Sequence, residues 1–182
     1  MSEILQWAAM GPDDRALNPL EAFLRGDEEA FAGVVRAYNT RLLAYARAFL
    51  NDPEDCREAV QDAFLRFHQS RGAIHANPQA WLFKVVRNLC IDQRRRQARR
   101  TADPSQVLPF PAAFHPDERL KVHEALAALP ERDRAVVCLK VLEGLSYQEI
   151  GDALGLSAGN VGFILHHALR KLASILSAGG RA

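Results

Sequence analysis

Cysteine is scarce: the 182 residues hold three, Cys56, Cys90 and Cys138. They are too few and too scattered for a disulfide framework or a structural zinc site, and an odd, low count fits a reducing compartment. Each lies among apolar residues at helical spacing, which reads as a small core residue. Net charge is nearly absent too, with 23 Lys+Arg against 22 Asp+Glu, a formal +1. That balance excludes a wholly basic, histone-like binder, and the 48% hydrophobic content excludes an acidic disordered chain. No apolar run approaches the ~18 residues that a membrane span needs. The opening MSEILQWAAM has neither the basic start nor the long apolar stretch of a signal peptide. These absences predict a cytoplasmic chain without membrane insertion. Period-two alternation is missing as well, so the expected fold class is all-α.

The charge that is present is unevenly placed. Residues 84–100 carry Lys84, Arg87, Arg94, Arg95, Arg96, Arg99 and Arg100 against Asp92 alone, and residues 157–182 carry basic residues and no acid. Two concentrations of positive charge point to a polyanionic partner.

Apolar spacing predicts the helices. Asp27 precedes a stripe of Phe31, Val34, Val35, Tyr38, Leu42, Tyr45, Ala46 and Leu50, which Asn51-Asp52-Pro53 ends. The next helix buries Cys56, Ala59, Val60, Ala63, Phe64 and Phe67 and turns Asp55, Arg57, Glu58, Gln61 and Asp62 outward. After a loop over 70–76, Asn77-Pro78 starts a helix through Trp81, Leu82, Val85, Leu89 and Cys90, whose surface then becomes the arginine run. Residues 101–116 hold four prolines and no periodicity, which reads as an extended linker. The expected organisation is an N-terminal extension over 1–18, a helical bundle over 19–100, a linker over 101–117 and a second small helical domain over 118–182. Within the latter, Leu120, His123, Leu126 and Leu129 mark one helix, and Pro130 opens another carrying Val136, Val137, Leu139 and Leu142.

Residues 146–169 carry the most specific local signal. Ser146-Tyr147-Gln148-Glu149 is a capping box, Gly155 permits a left-handed stop, and Ser157 caps a last helix with the stripe Val161, Leu165, Ala168, Leu172 and Leu176. Small Gly151 lets the two helices approach. This is a helix-turn-helix, which presents the start of its second helix to a major groove; an ordinary helical hairpin is the plainer alternative. The Arg94–Arg100 run follows a helix bearing Trp81, Phe83 and Asn88, and arginines with aromatic and amide neighbours can hold an unpaired strand. A solvated charged face and a core Trp81 are the competing readings. Catalysis finds no support: the six histidines lack metal spacing, no glycine-rich phosphate loop appears, and no cofactor or metal is expected.

Several blocks together resemble a known family. Asp27-Glu28-Glu29-Ala30-Phe31, Asp52-Pro53-Glu54-Asp55 and Val60-Gln61-Asp62-Ala63-Phe64 resemble the polymerase-binding domain of bacterial sigma factors. Trp81-Leu82, Val86-Arg87-Asn88-Leu89 and Ile91-Asp92-Gln93-Arg94-Arg95 are similar to the end of that domain. Leu129-Pro130-Glu131-Arg132 and Glu143-Gly144-Leu145-Ser146-Tyr147-Gln148-Glu149-Ile150 resemble the second domain, and the two-domain spacing is that of the extracytoplasmic-function (ECF) group. The resemblance implies an initiation factor that binds core RNA polymerase and promoter DNA, with an anti-sigma factor as a further candidate partner. It places polymerase contacts at Asp55, Glu58, Gln61 and Asp62. It places minus-ten contacts at Trp81, Lys84, Arg87, Asn88, Arg94 and Arg95, with Asn88 at a flipped base. It places minus-thirty-five contacts at Ser157, Asn160, Gly162, Phe163, His166 and Arg170. The chain departs from the family pattern at Cys56-Arg57-Glu58 and at Gly162-Phe163-Ile164, where Lys-Ser-Arg is usual, and His167 stands for an Arg. Residues 157–169 thus hold no Lys or Arg, which predicts that isolated residues 118–182 bind promoter duplex weakly, with a shallow salt dependence. A ligand- or partner-regulated repressor with a helix-turn-helix tail is the alternative from another class. It needs a sensor pocket or dimer face where this chain has Gln61 among acids and the arginine run.

Overall fold

The computed structural model describes residues 18–74, 77–100 and 116–179, and among these every regular element is helical. The helices are α1 (Pro19–Leu24), α2 (Ala30–Ala46), α3 (Pro53–Gln69), α4 (Pro78–Arg100), α5 (Pro116–Ala127), α6 (Glu131–Val141), α7 (Tyr147–Leu154) and α8 (Ala158–Gly179). Local chemistry starts and stops them. Asn18 caps α1 by accepting from the Leu20 amide, and the Asp27 carboxylate accepts from the Glu29 and Ala30 amides ahead of α2. Asp52 caps α3 with Pro53 in its first turn, and Asn77 accepts from the Ala80 amide at the start of α4. The stretch after α3 is a single 3-10 turn over Arg71–Ala73. Residues 1–17 of the expected extension over 1–18, and residues 101–115 of the expected linker over 101–117, lie outside the described residues; α5 starts at Pro116.

α1 to α4 enclose an aromatic core. Phe23 meets Phe31 and Phe67 at 5.1 and 5.6 Å between ring centroids, and Tyr45 meets Phe49 and Phe83 edge-on at 5.1 and 5.2 Å. α3 buries the six residues expected of it. α4 is rotated from the expected stripe: Leu82, Phe83, Val86 and Cys90 are buried, while Trp81, Val85 and Leu89 are only partly covered. The reason is that α4 packs against α2 and α3 on one side and α7 on another, so its apolar arc is wide.

α5 to α8 form the second helical group, and the described parts of both groups share one contiguous buried cluster. The start of α6 is clamped by Arg134, which is buried. Its guanidinium donates to the carbonyls of Ala48 (2.7 Å), Ala127 (2.7 Å) and Leu129 (3.2 Å), all at or beyond helix C-termini where backbone oxygens lack partners. Burial lowers the Arg134 pKa. Arg41 of α2 pairs with Glu143 after α6, its Nε donating to the carboxylate at 2.7 Å. The Glu143 side chain is only 2% exposed. Desolvation raises its pKa, with Arg41 opposing the shift. Leu142, placed on the buried stripe of α6 by its spacing, is exposed, as is Val141, because the helix ends there and the chain turns away at Gly144 (φ +67°).

Candidate nucleic-acid and polymerase interfaces

Three surfaces collect the functional candidates. The first is the outer side of α3. Glu58, Gln61 and Asp62 are exposed, and exposed Leu65 follows one turn on. Asp55 behaves differently. It is half-buried and accepts from Gln93 (2.7 Å) and Gln97 (2.5 Å) of α4, and Gln93 also reaches Glu58 at 3.3 Å. Asp55, Glu58 and Asp62 form one wall of a polar cleft of about 520 Å³ whose other wall is the C-terminal half of α4. Asp55 therefore braces α3 against α4, and the outward set is Glu58, Gln61 and Asp62.

The second surface is α4. The arginine run belongs to this helix and does not follow it. Lys84, Asn88 and Arg95 are exposed. Trp81 is half-buried with its ring 5.8 Å from Phe67, so the indole is part core and part rim. Arg87 and Arg94 are partly buried, and both pair with the Glu131 carboxylate, Arg87 at 3.2 Å. The Arg87 Nε is buried without a partner.

The third surface is the α7–α8 pair. The capping box is complete: the Glu149 amide donates to the Ser146 hydroxyl (3.2 Å), and the Ser146 amide donates to the Glu149 carboxylate (2.7 Å). Hydrogen bonds from Ser146 hold the Glu149 pKa below its ordinary value. Gly155 sits at φ +69° and stops α7. Ser157 accepts from the Asn160 amide at 3.2 Å to start α8. A Cβ on Gly151 would lie 2.4 Å from the Leu156 carbonyl oxygen, so only glycine admits this turn. Val161, Leu165 and Ala168 are buried as their spacing requires, and Ile164 joins them. Phe163 does not; it is 65% exposed, its ring 4.3 Å from that of His167. Ser157, Asn160, His166 and Arg170 are also exposed or half-exposed along α8, and Gly162 sits against Tyr147. A short capped helix, a glycine turn and a longer helix with an exposed opening face form a helix-turn-helix.

Comparison with known proteins agrees with this geometry. Residues 34–100 match the family described as Sigma-70 region 2, and residues 119–172 match Sigma-70, region 4. The ECF RNA polymerase sigma factor SigM of Mycobacterium tuberculosis is 32% identical over 161 residues, covering 86% of this chain and 82% of SigM. The chain belongs to the ECF sigma factor family. Among solved structures, CnrH in complex with the cytosolic domain of CnrY superposes with a TM-score of 0.67 at 26% identity, covering 88% of this chain and 96% of that one. The Bartonella quintana sigma factor RpoE, in complex with the anti-sigma factor NepR, shares the fold, with a TM-score of 0.68 at 23% identity over 81% of this chain and 96% of that one.

The structure of this sigma factor also shows polar cross-links that no local pattern announces. Arg41–Glu143, Arg87–Glu131, Arg94–Glu131 and Asn77–Glu149 (2.9 Å) all join α1–α4 to α5–α8. Among the described residues, no group of three or more His, Cys, Asp or Glu side chains could hold a metal ion, and no helix is long and apolar enough to cross a membrane.

Proposed function

We propose that this sigma factor binds core RNA polymerase through α3, captures the minus-ten strand on α4 and reads the minus-thirty-five element with α8. On this reading residues 19–100 and 118–182 are the two functional domains, joined by the segment over 101–117. The observation that carries the reading is the combination, in one chain and in this order, of the arginine-bearing α4 and the capped α7–α8 pair. Exposed Glu58, Gln61 and Asp62 beside Leu65 give α3 a hydrogen-bonding face around an apolar spot, which suits a large protein partner. On α4, Lys84 and Arg95 are poised for phosphates. Asn88 offers both a donor and an acceptor to a base edge. Trp81 borders the same face, and Arg87 and Arg94 extend it once their carboxylate partner is withdrawn.

On α8 the start of the helix, with Ser157 and Asn160, supplies amides for a phosphate. Exposed Phe163 supplies an apolar contact for a thymine methyl group, Gly162 stands beside it against Tyr147, and His166 and Arg170 lie further along. The factor is non-enzymatic and acts in the cytoplasm, where the polymerase is. An anti-sigma factor, the type of partner seen on the Bartonella relative, is a candidate regulator. The repressor alternative is not favoured. Run-off transcription with purified core polymerase on a promoter library tests the function. The expected result is factor-dependent initiation that Gln61→Ala with Asp62→Ala abolishes while the fold survives. Polymerase binding unaffected by that pair overturns the α3 assignment.

A further inference from the structure

α8 buries Val161, Ile164, Leu165 and Ala168, and this inward set fixes which way the other residues of its opening turns face. Gly159, Phe163 and His167 stand one turn apart on the exposed side. The rings of Phe163 and His167 meet at 4.3 Å between centroids and 53° between planes, and His167 meets His166 edge-on at 5.7 Å. A helical side chain leans back over the turn before its own Cα, so His167 backs the Phe163 ring and Phe163 leans over the turn of Gly159. No side chain stands there, and even a Cβ on Gly159 would meet no neighbouring group within 4 Å. The three residues make a notch that is open at Gly159, walled by Phe163 and backed by His167. We propose that His167 is a positioning residue for promoter reading: it holds the Phe163 ring so that this notch takes the methyl group of one thymine in the minus-thirty-five element. This inference rests on the minus-thirty-five reading of α8.

An exposed aromatic ring reads a base well only when something holds it. A free ring gives up rotamer freedom on binding, whereas a ring already packed on a neighbour has given it up beforehand. The tilted arrangement of Phe163 on His167 is of the kind that aromatic neighbours favour. In the major groove the C5-methyl is the apolar feature that marks a T·A pair. The notch lies in the opening turns of α8, the part that a helix-turn-helix sets against base edges. Phe163 and His167 stand where the family pattern has Ser and Arg, so a ring that supports another ring replaces a cation. With no Lys or Arg over 157–169, discrimination at this point comes from contact and not from charge, and it does not fade with salt.

The test uses the full chain assembled with core polymerase, on a promoter taken from the run-off library. Each thymine of the minus-thirty-five element is replaced in turn by deoxyuridine, which lacks only the methyl group, and competition binding reads affinity at low and high salt. The wild-type factor loses roughly three- to fivefold at one position, by the same ratio at both salt concentrations. Phe163→Ala binds the thymine and deoxyuridine duplexes alike. His167→Ala shrinks the response, and His167→Phe, which keeps a ring against Phe163, restores it. Circular dichroism checks that all three variants remain helical. A wild-type scan that is flat at every position, or an element without thymine, overturns the proposal. So does a His167→Ala factor that keeps the full response, or a His167→Phe factor that fails to restore it. Equal loss on both duplexes with a shallower salt dependence also overturns it, because His167 would then hold a phosphate and not a ring. Run-off transcription by the wild-type factor is scored separately: its absence strikes the proposed function, whereas its presence beside a flat scan strikes only the notch.

Discussion

Replacing Gly151 by alanine puts the helix-turn-helix geometry to a direct test. In an exposed helix interior the change stabilises by up to ~1 kcal/mol, because glycine loses more backbone entropy on folding. Here the added Cβ would stand 2.4 Å from the Leu156 carbonyl oxygen and 3.8 Å from the Ala158 amide. Carbon and carbonyl oxygen ordinarily keep about 3.3 Å apart, so the turn must retreat by roughly 1 Å. It cannot retreat freely. The Leu156 amide donates to the Gly151 carbonyl at 2.9 Å, the Val161 amide to the Ser157 carbonyl at 3.0 Å, and the Asn160 amide to the Ser157 hydroxyl. Overpacking of about 1–3 kcal/mol and a weakened hydrogen bond of about 1 kcal/mol outweigh the helix gain, for a net loss of about 1–3 kcal/mol. At ~2–4 °C per kcal/mol in a chain of this size, Tm falls by roughly 2–12 °C. Gly159→Ala is the control: nothing lies within 4 Å of its Cβ position, so its effect is neutral or slightly stabilising. Urea unfolding of the three proteins decides the matter. Gly151→Ala as stable as wild type, or Gly159→Ala equally damaged, refutes the close-approach argument.

Three further outcomes follow from the interior and from α4. The Tyr45 hydroxyl is fully buried without a hydrogen-bond partner, and burial raises its pKa well above the ordinary tyrosine value. Tyr45→Phe keeps the ring contacts with Phe49 and Phe83 and should raise stability by about 1 kcal/mol in urea titration; a loss would show that the hydroxyl is satisfied. Burial pushes Cys56 up to about 11 and Cys90 and Cys138 up to about 12. At pH 8 the native chain should therefore react with a thiol reagent about 100-fold more slowly than the urea-unfolded chain, and rapid native labelling would contradict the buried thiols. Asn88→Ala should change preference at one minus-ten position by about 1–3 kcal/mol in competition binding, whereas a uniform loss at every position would mean damage to the fold.

What was legible in the sequence, and what was not, divides by range. The six buried residues of α3 follow from their spacing because that helix buries one stripe and leaves the other side polar. The capping box, the Gly155 stop and the Gly151 approach are written within ten residues and appear as expected. The buried arc of α4 is offset from its predicted stripe by a fraction of a turn, because a helix packed on two sides has a wide apolar arc whose centre periodicity does not choose. Phe163 and Ile164 both lie off the predicted stripe of α8, and the structure separates them: Ile164 packs inward and Phe163 does not. The cross-links were invisible. Arg94 and Glu131 stand 37 residues apart, and Arg41 and Glu143 stand 102 apart. A charged residue in a helix reads as solvated surface unless its partner is known, so Arg134, Glu131 and Glu143 carried no local signal.

Those cross-links also bear on how the two helical groups are held together. A buried ion pair contributes little net stability, since desolvation offsets most of its Coulomb gain, but it penalises wrong pairings heavily. Arg41–Glu143 and the Arg134 carbonyl clamp therefore specify where the second helical group sits more than they strengthen its hold. Over α4 the pairs are half-exposed, with Arg87, Arg94 and Glu131 all reached by water. Partial desolvation offsets much of the Coulomb gain of such pairs, so each contributes little net stability. Were phosphates to replace Glu131 there, both arginines would regain a charged partner and the carboxylate would regain water. That polar exchange is close to balanced, so the buried apolar cluster that both helical groups share, and not the ion pairs over α4, sets how firmly they hold together.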